Sequence, residues 1–252
     1  NRVKYTNEEI VAFVSAIIMQ ESMWEPASVS VCGAAGLNQF MPRTARGYFI
    51  SPVNIFENAD FNDCRENGRI KQERLAYSTR LKARIEGLDN EAIKPIDDRL
   101  DPEKSIPAAV KLVHELFTQM DKHTASREEL IRLVAAAYNT GPGNVKSAIT
   151  KALSEGAIST TADVRFILIK KFLLPETQNY VDSVIGYYVG YGGAIAGGNF
   201  YYYHDIDSNT FSPRPFTVEM RVQEYLPILS CINETAFPIR EDILRFTISG
   251  NI

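Results

Sequence analysis

The chain has 252 residues, 45% of them hydrophobic and 23% charged, enough for one large domain or a domain with a smaller companion. A net charge of −4 leaves no basic footprint for nucleic acid and no polybasic surface for anionic lipid. No long uncharged apolar run occurs, so the composition reads as a soluble globular protein with a sizeable core.

The sequence starts at Asn1, not at a Met, and reads as a processed or trimmed product, so a missing leader says little about location. Thr6-Asn7-Glu8-Glu9 is a capping box and opens a helix. Ile10, Phe13, Val14, Ile17 and Ile18 recur at helical spacing, so one stripe of that helix is buried. Glu21 lies three and four residues beyond Ile18 and Ile17 and falls on the same stripe. Desolvation there disfavours the carboxylate and holds its proton, which suits a general acid for a glycosidic oxygen. A structural ion pair or an amide cap explains the same position. The helix should end by Glu25, because Pro26 pushes the residue before it out of the α region. Trp24 and Met23 either line a sugar cleft or, for Trp24, fill the core.

A loop of glycines and small residues follows. Gly33 and Gly36 permit positive φ or close approach. Leu37, Phe40 and Met41 supply apolar contacts, and Gln39 offers a donor and an acceptor, the mixture that reads sugars. Thr44 is expected to open a short helix. Residues 54–67 are rich in Asn and Asp, mostly turn formers. Asp60 and Asp63 could be named as a second carboxylate, but solvated loop residues are the plainer reading. Ile70, Arg74, Tyr77, Leu81 and Ile85 mark an amphipathic helix that ends at Gly87. Ser105 can cap a helix running to Met120, and Ser126-Arg127-Glu128-Glu129 is a capping box for the next. That second helix ends at Gly141-Pro142-Gly143 and delivers Tyr138 and Asn139 at its terminus. A helix is expected over 161–173. Another starts at Pro175, with Glu176 in its first turn and Tyr180 a turn later, and continues to Gly190. From Gly192 the chain turns flexible and then aromatic, and a strand or a helix is allowed over 216–226.

The cysteines are Cys32, Cys64 and Cys231, an odd count that closes no full disulfide framework. An oxidising compartment would permit one pair and a free thiol. Cys32 reads as a small buried thiol and not as a nucleophile, because His114, His123 and His204 come with no catalytic motif. No zinc spacing is present. Asn233-Glu234-Thr235 fits a glycosylation sequon, a triplet too frequent by chance to carry weight.

Three segments in order form a pattern. They are Glu21-Ser22 with G-A-A-G-L-N-Q-F-M-P-R-T-A at 33–45, A-A-Y-N-T-G-P-G-N-V at 136–145, and P-E-T-Q-N-Y-V at 175–181. Together they resemble the soluble lytic transglycosylase family. Asn38 departs from it, since the family usually has Met there. The resemblance implies a mainly α, goose-type-lysozyme-like domain over 1–191, interrupted by an insertion at 46–100 and followed by an extension at 192–252. It implies Glu21 as acid and base. Ser30, Gln39, Met41, Tyr138, Asn139, Glu176 and Tyr180 would hold the sugar and its acetamido group, with no metal or organic cofactor. It further implies peptidoglycan strands as substrate and an extracytoplasmic site of action. The insertion, outside the resemblance, would line one end of the cleft or bind a protein partner, and the tail is a second candidate for such binding. A hydrolytic muramidase or chitinase-like enzyme of the same fold is the first alternative. A weakly catalytic assembly module of a secretion machine, phage particle or cell-wall complex is the second.

Overall fold

The computed structural model describes residues 7–49, 53–61, 63–156, 162–191, 202–205 and 210–213. The Thr6 cap, the segment 216–226, Cys231 and the Asn233 sequon lie outside the described residues. The fold is mainly helical. The described residues fall into two compact units, one up to Ala16 and from Val113 on, the other Ile17–Leu112.

The helix α1 spans Asn7–Ser22. It is buried further round than a single stripe, since every residue from Ala12 to Ile18 lies inside, Ser15 included. Each large apolar side chain buried in this way contributes about 1.5–3 kcal/mol. In the first unit, the Phe13 ring meets Phe117 at 5.5 Å and Tyr188 at 5.9 Å, both edge-on. Glu9 is buried and paired with Arg127, and the Tyr188 hydroxyl donates to it at 3.4 Å.

Most of that unit is α6 (Arg127–Thr140), α7 (Pro142–Ser154), α8 (Ala162–Lys170) and α9 (Pro175–Gly190), with α6 packed on the other three. Ser126 caps α6 as expected, its hydroxyl accepting from Glu129 N at 3.3 Å. The reciprocal half of the box is replaced. Ser126 N donates to Thr124 Oγ1, and the Glu129 carboxylate is turned inward to Arg165 at 3.2 Å. α6 ends at Gly141, whose φ of +87° is the left-handed region that favours glycine. A backbone hairpin of β3 (Tyr202–Asp205) and β4 (Thr210–Pro213) is antiparallel.

His123, in the turn after α5 (Pro102–Met120), is held below the ordinary histidine pKa by burial and by Lys146, Arg165 and Lys122. A lowered folded pKa means the unfolded chain takes the proton first, so stability is lost as pH falls through the unfolded histidine value. Thermal melts should therefore drop between pH 7.5 and 5.5, and His123→Gln should flatten that slope. An unchanged slope in the variant would contradict the assignment.

The second unit carries α2 (Pro42–Tyr48), the hairpin β1–β2 (Arg65–Glu66 and Arg69–Ile70), α3 (Gln72–Ile85) and the short α4 (Asn90–Ile93). α2 starts before Thr44, because Pro42 has the fixed φ that suits a first helical position. α3 buries Arg74, Tyr77, Leu81 and Ile85 of the stripe read from the sequence, while Ile70, its first member, lies in β2 before the helix starts. Ser105 does not cap α5. The helix begins at Pro102, Asp101 Oδ1 accepts from Glu103 N at 3.0 Å, and Ser105 is buried inside the first turns.

Candidate active site

In the Ile17–Leu112 unit, Glu21 is half-buried in the last turn of α1. The Ser22 hydroxyl closes that turn by donating to Ile18 O at 3.1 Å. Met23 and Trp24 then take φ of +51° and +63°, two successive left-handed residues that reverse the chain at once. The reversal leaves Met23 70% exposed and puts Trp24 in the core at 2%. α1 thus stops two residues before the position that Pro26 alone would dictate.

The loop beyond is tied by its own hydrogen bonds. Ser28 O accepts from Gly36 N at 2.9 Å and from Gln39 Nε2 at 3.0 Å. Gln39 Nε2 also donates to Gly36 O at 2.9 Å, so its side-chain carbonyl is what it has to offer a ligand. Ser30 Oγ accepts from Ala34 N at 3.0 Å, and as a hydroxyl it keeps a proton to donate. Val29, Ala35 and Phe40 form paired β-bridges across the loop. Met41 immediately precedes α2, half-buried like Ser30 and Gln39. Ser30 and Gln39 are therefore brought into one rigid loop. Asn38, where the family usually has Met, is buried at 1% exposure.

Beneath the loop lies a group that local patterns do not reveal. Arg99 is fully buried, and its guanidinium donates to Gly33 O at 2.7 Å and to Phe40 O at 2.8 Å. It pairs with buried Asp97 at 2.8–2.9 Å and donates to the Tyr77 hydroxyl at 2.6 Å. Burial pushes the Tyr77 phenol up to about 12, so it stays protonated. Gly36 fits because it has no side chain, since a Cβ there would fall 1.7 Å from Arg99 O. Asp60 is an exposed partner of Arg46 at 3.4 Å, and Asp63 accepts from Arg74 Nη2 through its backbone.

Cys32 is bonded to Cys64, which corrects the reading of a buried free thiol and removes the nucleophile alternative with any histidine. Counting three cysteines could not pair them. Closing a 32-residue separation stabilises the fold by about 3–4 kcal/mol in the chain-entropy account.

In the other unit, Tyr138 and Asn139 stand half-buried at the end of α6. Asn139 Oδ1 accepts from the buried Thr177 hydroxyl at 2.7 Å, which joins the end of α6 to the first turn of α9. Glu176 is exposed beside that link, and Tyr180 is buried at 7%. Thr177 is the residue of the third motif that the sequence reading passed over. Its hydroxyl engages the Asn139 side-chain carbonyl, and the amide nitrogen is the group Asn139 has to donate. Among the described residues no group of His, Cys, Asp and Glu could hold a metal ion, and no helix is long and apolar enough to cross a membrane.

The buried helix ending in Glu-Ser, the glycine loop and the α6–Gly141 turn belong to a mainly helical, lysozyme-like domain. The family model described as "Transglycosylase SLT domain" matches residues 2–60 and 79–159, more than half of the chain, and the chain belongs to that family. It is 29% identical over 190 residues to the membrane-bound lytic murein transglycosylase F of Pasteurella multocida, covering 75% of this chain and 28% of that protein. It is 26% identical over 186 residues to the soluble lytic murein transglycosylases of Salmonella typhimurium and Escherichia coli K12, covering 73% of this chain and 21% of theirs. The chain thus spans about a quarter of the length of the relatives it matches. The Cys32–Cys64 disulfide, in a chain of this family, fits an extracytoplasmic setting, where such bonds persist.

Proposed function

We propose that this domain is a peptidoglycan lytic transglycosylase that cleaves the β-1,4 bond between N-acetylmuramic acid and N-acetylglucosamine. The observation that carries the reading is Glu21, half-buried at the end of a buried helix and followed at once by the tied Ser30–Gln39 loop. Glu21 protonates the glycosidic oxygen as the C1–O4 bond breaks. The acetamido group, or direct stabilisation of the oxocarbenium-like state, takes the place of a second carboxylate. Glu21, now a carboxylate, accepts the proton of the muramic C6 hydroxyl as that oxygen bonds to C1 and closes a 1,6-anhydro ring. No water is consumed.

Ser30, Gln39 and Met41 serve the acetamido group and ring on one unit, and Tyr138, Asn139 and Glu176 hold sugar on the other, backed there by Tyr180. The half-buried state of Ser30, Gln39, Met41, Tyr138 and Asn139 supports this, since each combines a fixed backbone with exposure to a ligand. Tyr180 is nearly buried and acts as a wall, not a contact. Residues 1–191, interrupted by the insertion at 46–100, are the catalytic domain, working in the periplasm or cell envelope, and a protein partner would dock through 46–100 or through the extension at 192–252. Incubation of purified sacculi should release muropeptides with 1,6-anhydro ends. A folded protein that releases none would overturn the reading in favour of an assembly module.

A further inference from the structure

The family match breaks off at residue 60 and resumes at 79. The intervening segment makes repeated attachments to the glycine loop, all within one unit. The Ser78 hydroxyl, 1% exposed, donates to Ser30 O at 2.5 Å. Cys64 is bonded to Cys32. The Tyr77 ring occupies the space where Gly33 would carry a Cβ, 2.9 Å from that position, and its hydroxyl accepts from the arginine that also holds Gly33 O. Loop residues 30, 32 and 33 thus each meet a segment that the family match leaves out.

We propose that residues 63–78 are a strut that holds the loop in its sugar-reading shape, with Ser78 and Tyr77 as positioning residues and the Cys32–Cys64 disulfide as a covalent tie. The proposal rests on the reading above that Ser30 and Gln39 receive the acetamido sugar. The loop's internal bonds define its shape, and the tethers raise the fraction of molecules in which that shape is populated. A site competent for only part of the time binds more weakly by that fraction, while the chemistry within a bound complex is unchanged. Loosening the strut should therefore act on KM and spare kcat. Cys32 and Cys64 are both half-buried, so a small dithiol can reach the bond. Dithiothreitol would pass two electrons and two protons to it, leaving two cysteine thiols and its own cyclic disulfide.

The test compares wild type, Ser78→Ala and dithiothreitol-reduced wild type on soluble glycan strands, with amide hydrogen exchange on the same samples. Ser78→Ala keeps the disulfide and should raise KM about 3–10-fold with kcat within about twofold, the signature of a reduced competent fraction. Reduced wild type, with both thiols verified by mass, should move in the same direction. Reoxidation should restore it. Amides over 30–40 should exchange about tenfold faster while α6 amides do not change. Unchanged KM and unchanged loop exchange in Ser78→Ala would overturn the strut, whatever reduction does to folding. Should wild type itself release no anhydro product, the functional reading fails, and loop exchange still decides the strut.

Discussion

Glutamine in place of Glu21 is expected to slow glycan cleavage by about 10²–10⁴-fold, the usual contribution of a positioned acid/base group. The amide keeps the size of the side chain but can neither give a proton to the leaving oxygen nor take one from the C6 hydroxyl. Both half-reactions fail together, so the residual product should be low without a change in its identity. The helix behind Glu21 is anchored by Ile17 and Ile18, each 0% exposed, so the variant should retain its circular dichroism spectrum and its binding to sacculi. Activity within tenfold of wild type, measured on soluble strands, would contradict the assignment of Glu21.

Arg99→Met is expected to destabilise the fold by about 3–5 kcal/mol, because it strands a buried carboxylate. Asp97 is 0% exposed and would keep only the backbone donors Phe56 N at 3.1 Å and Arg99 N at 3.0 Å, with Tyr77 at 3.5 Å. The carbonyls of Gly33 and Phe40 would lose the guanidinium that joins them. Lysine retains the charge but not the planar fork, so Arg99→Lys should fall between methionine and wild type. Adding Asp97→Asn to Arg99→Met should recover part of the loss, since the remaining charge is then removed. Urea denaturation measures all of these. A loss below about 1 kcal/mol for Arg99→Met would mean the pair adds little.

What the sequence made legible was local. The stripe Ile10 to Ile18 marked α1, the Ser126 box marked α6, and Gly141 and Pro175 bounded elements that end and begin there. Arg74, Tyr77, Leu81 and Ile85 marked α3 by period alone. The support beneath the loop was hidden because its bonds are long-range. Arg99 lies 66 residues from Gly33 and 59 from Phe40, within the charged run Asp97-Asp98-Arg99, where no local pattern points to burial. Its burial follows from carbonyls brought in by another part of the chain. The disulfide was hidden by parity, and Asp101 displaced Ser105 as a cap because Pro102 had already set the first helical turn. Trp24 resolved to the core once the left-handed pair at Met23 and Trp24 turned the chain, a conformation that no propensity scale favours for those residues.

The central claim is that the muramic C6 hydroxyl, and not water, captures the sugar cation. Digesting sacculi in ¹⁸O-enriched water and weighing the new muramic ends tests it most directly. The account predicts ends lighter by one water and free of label. Hydrated ends carrying one ¹⁸O would contradict it and make the enzyme a hydrolase.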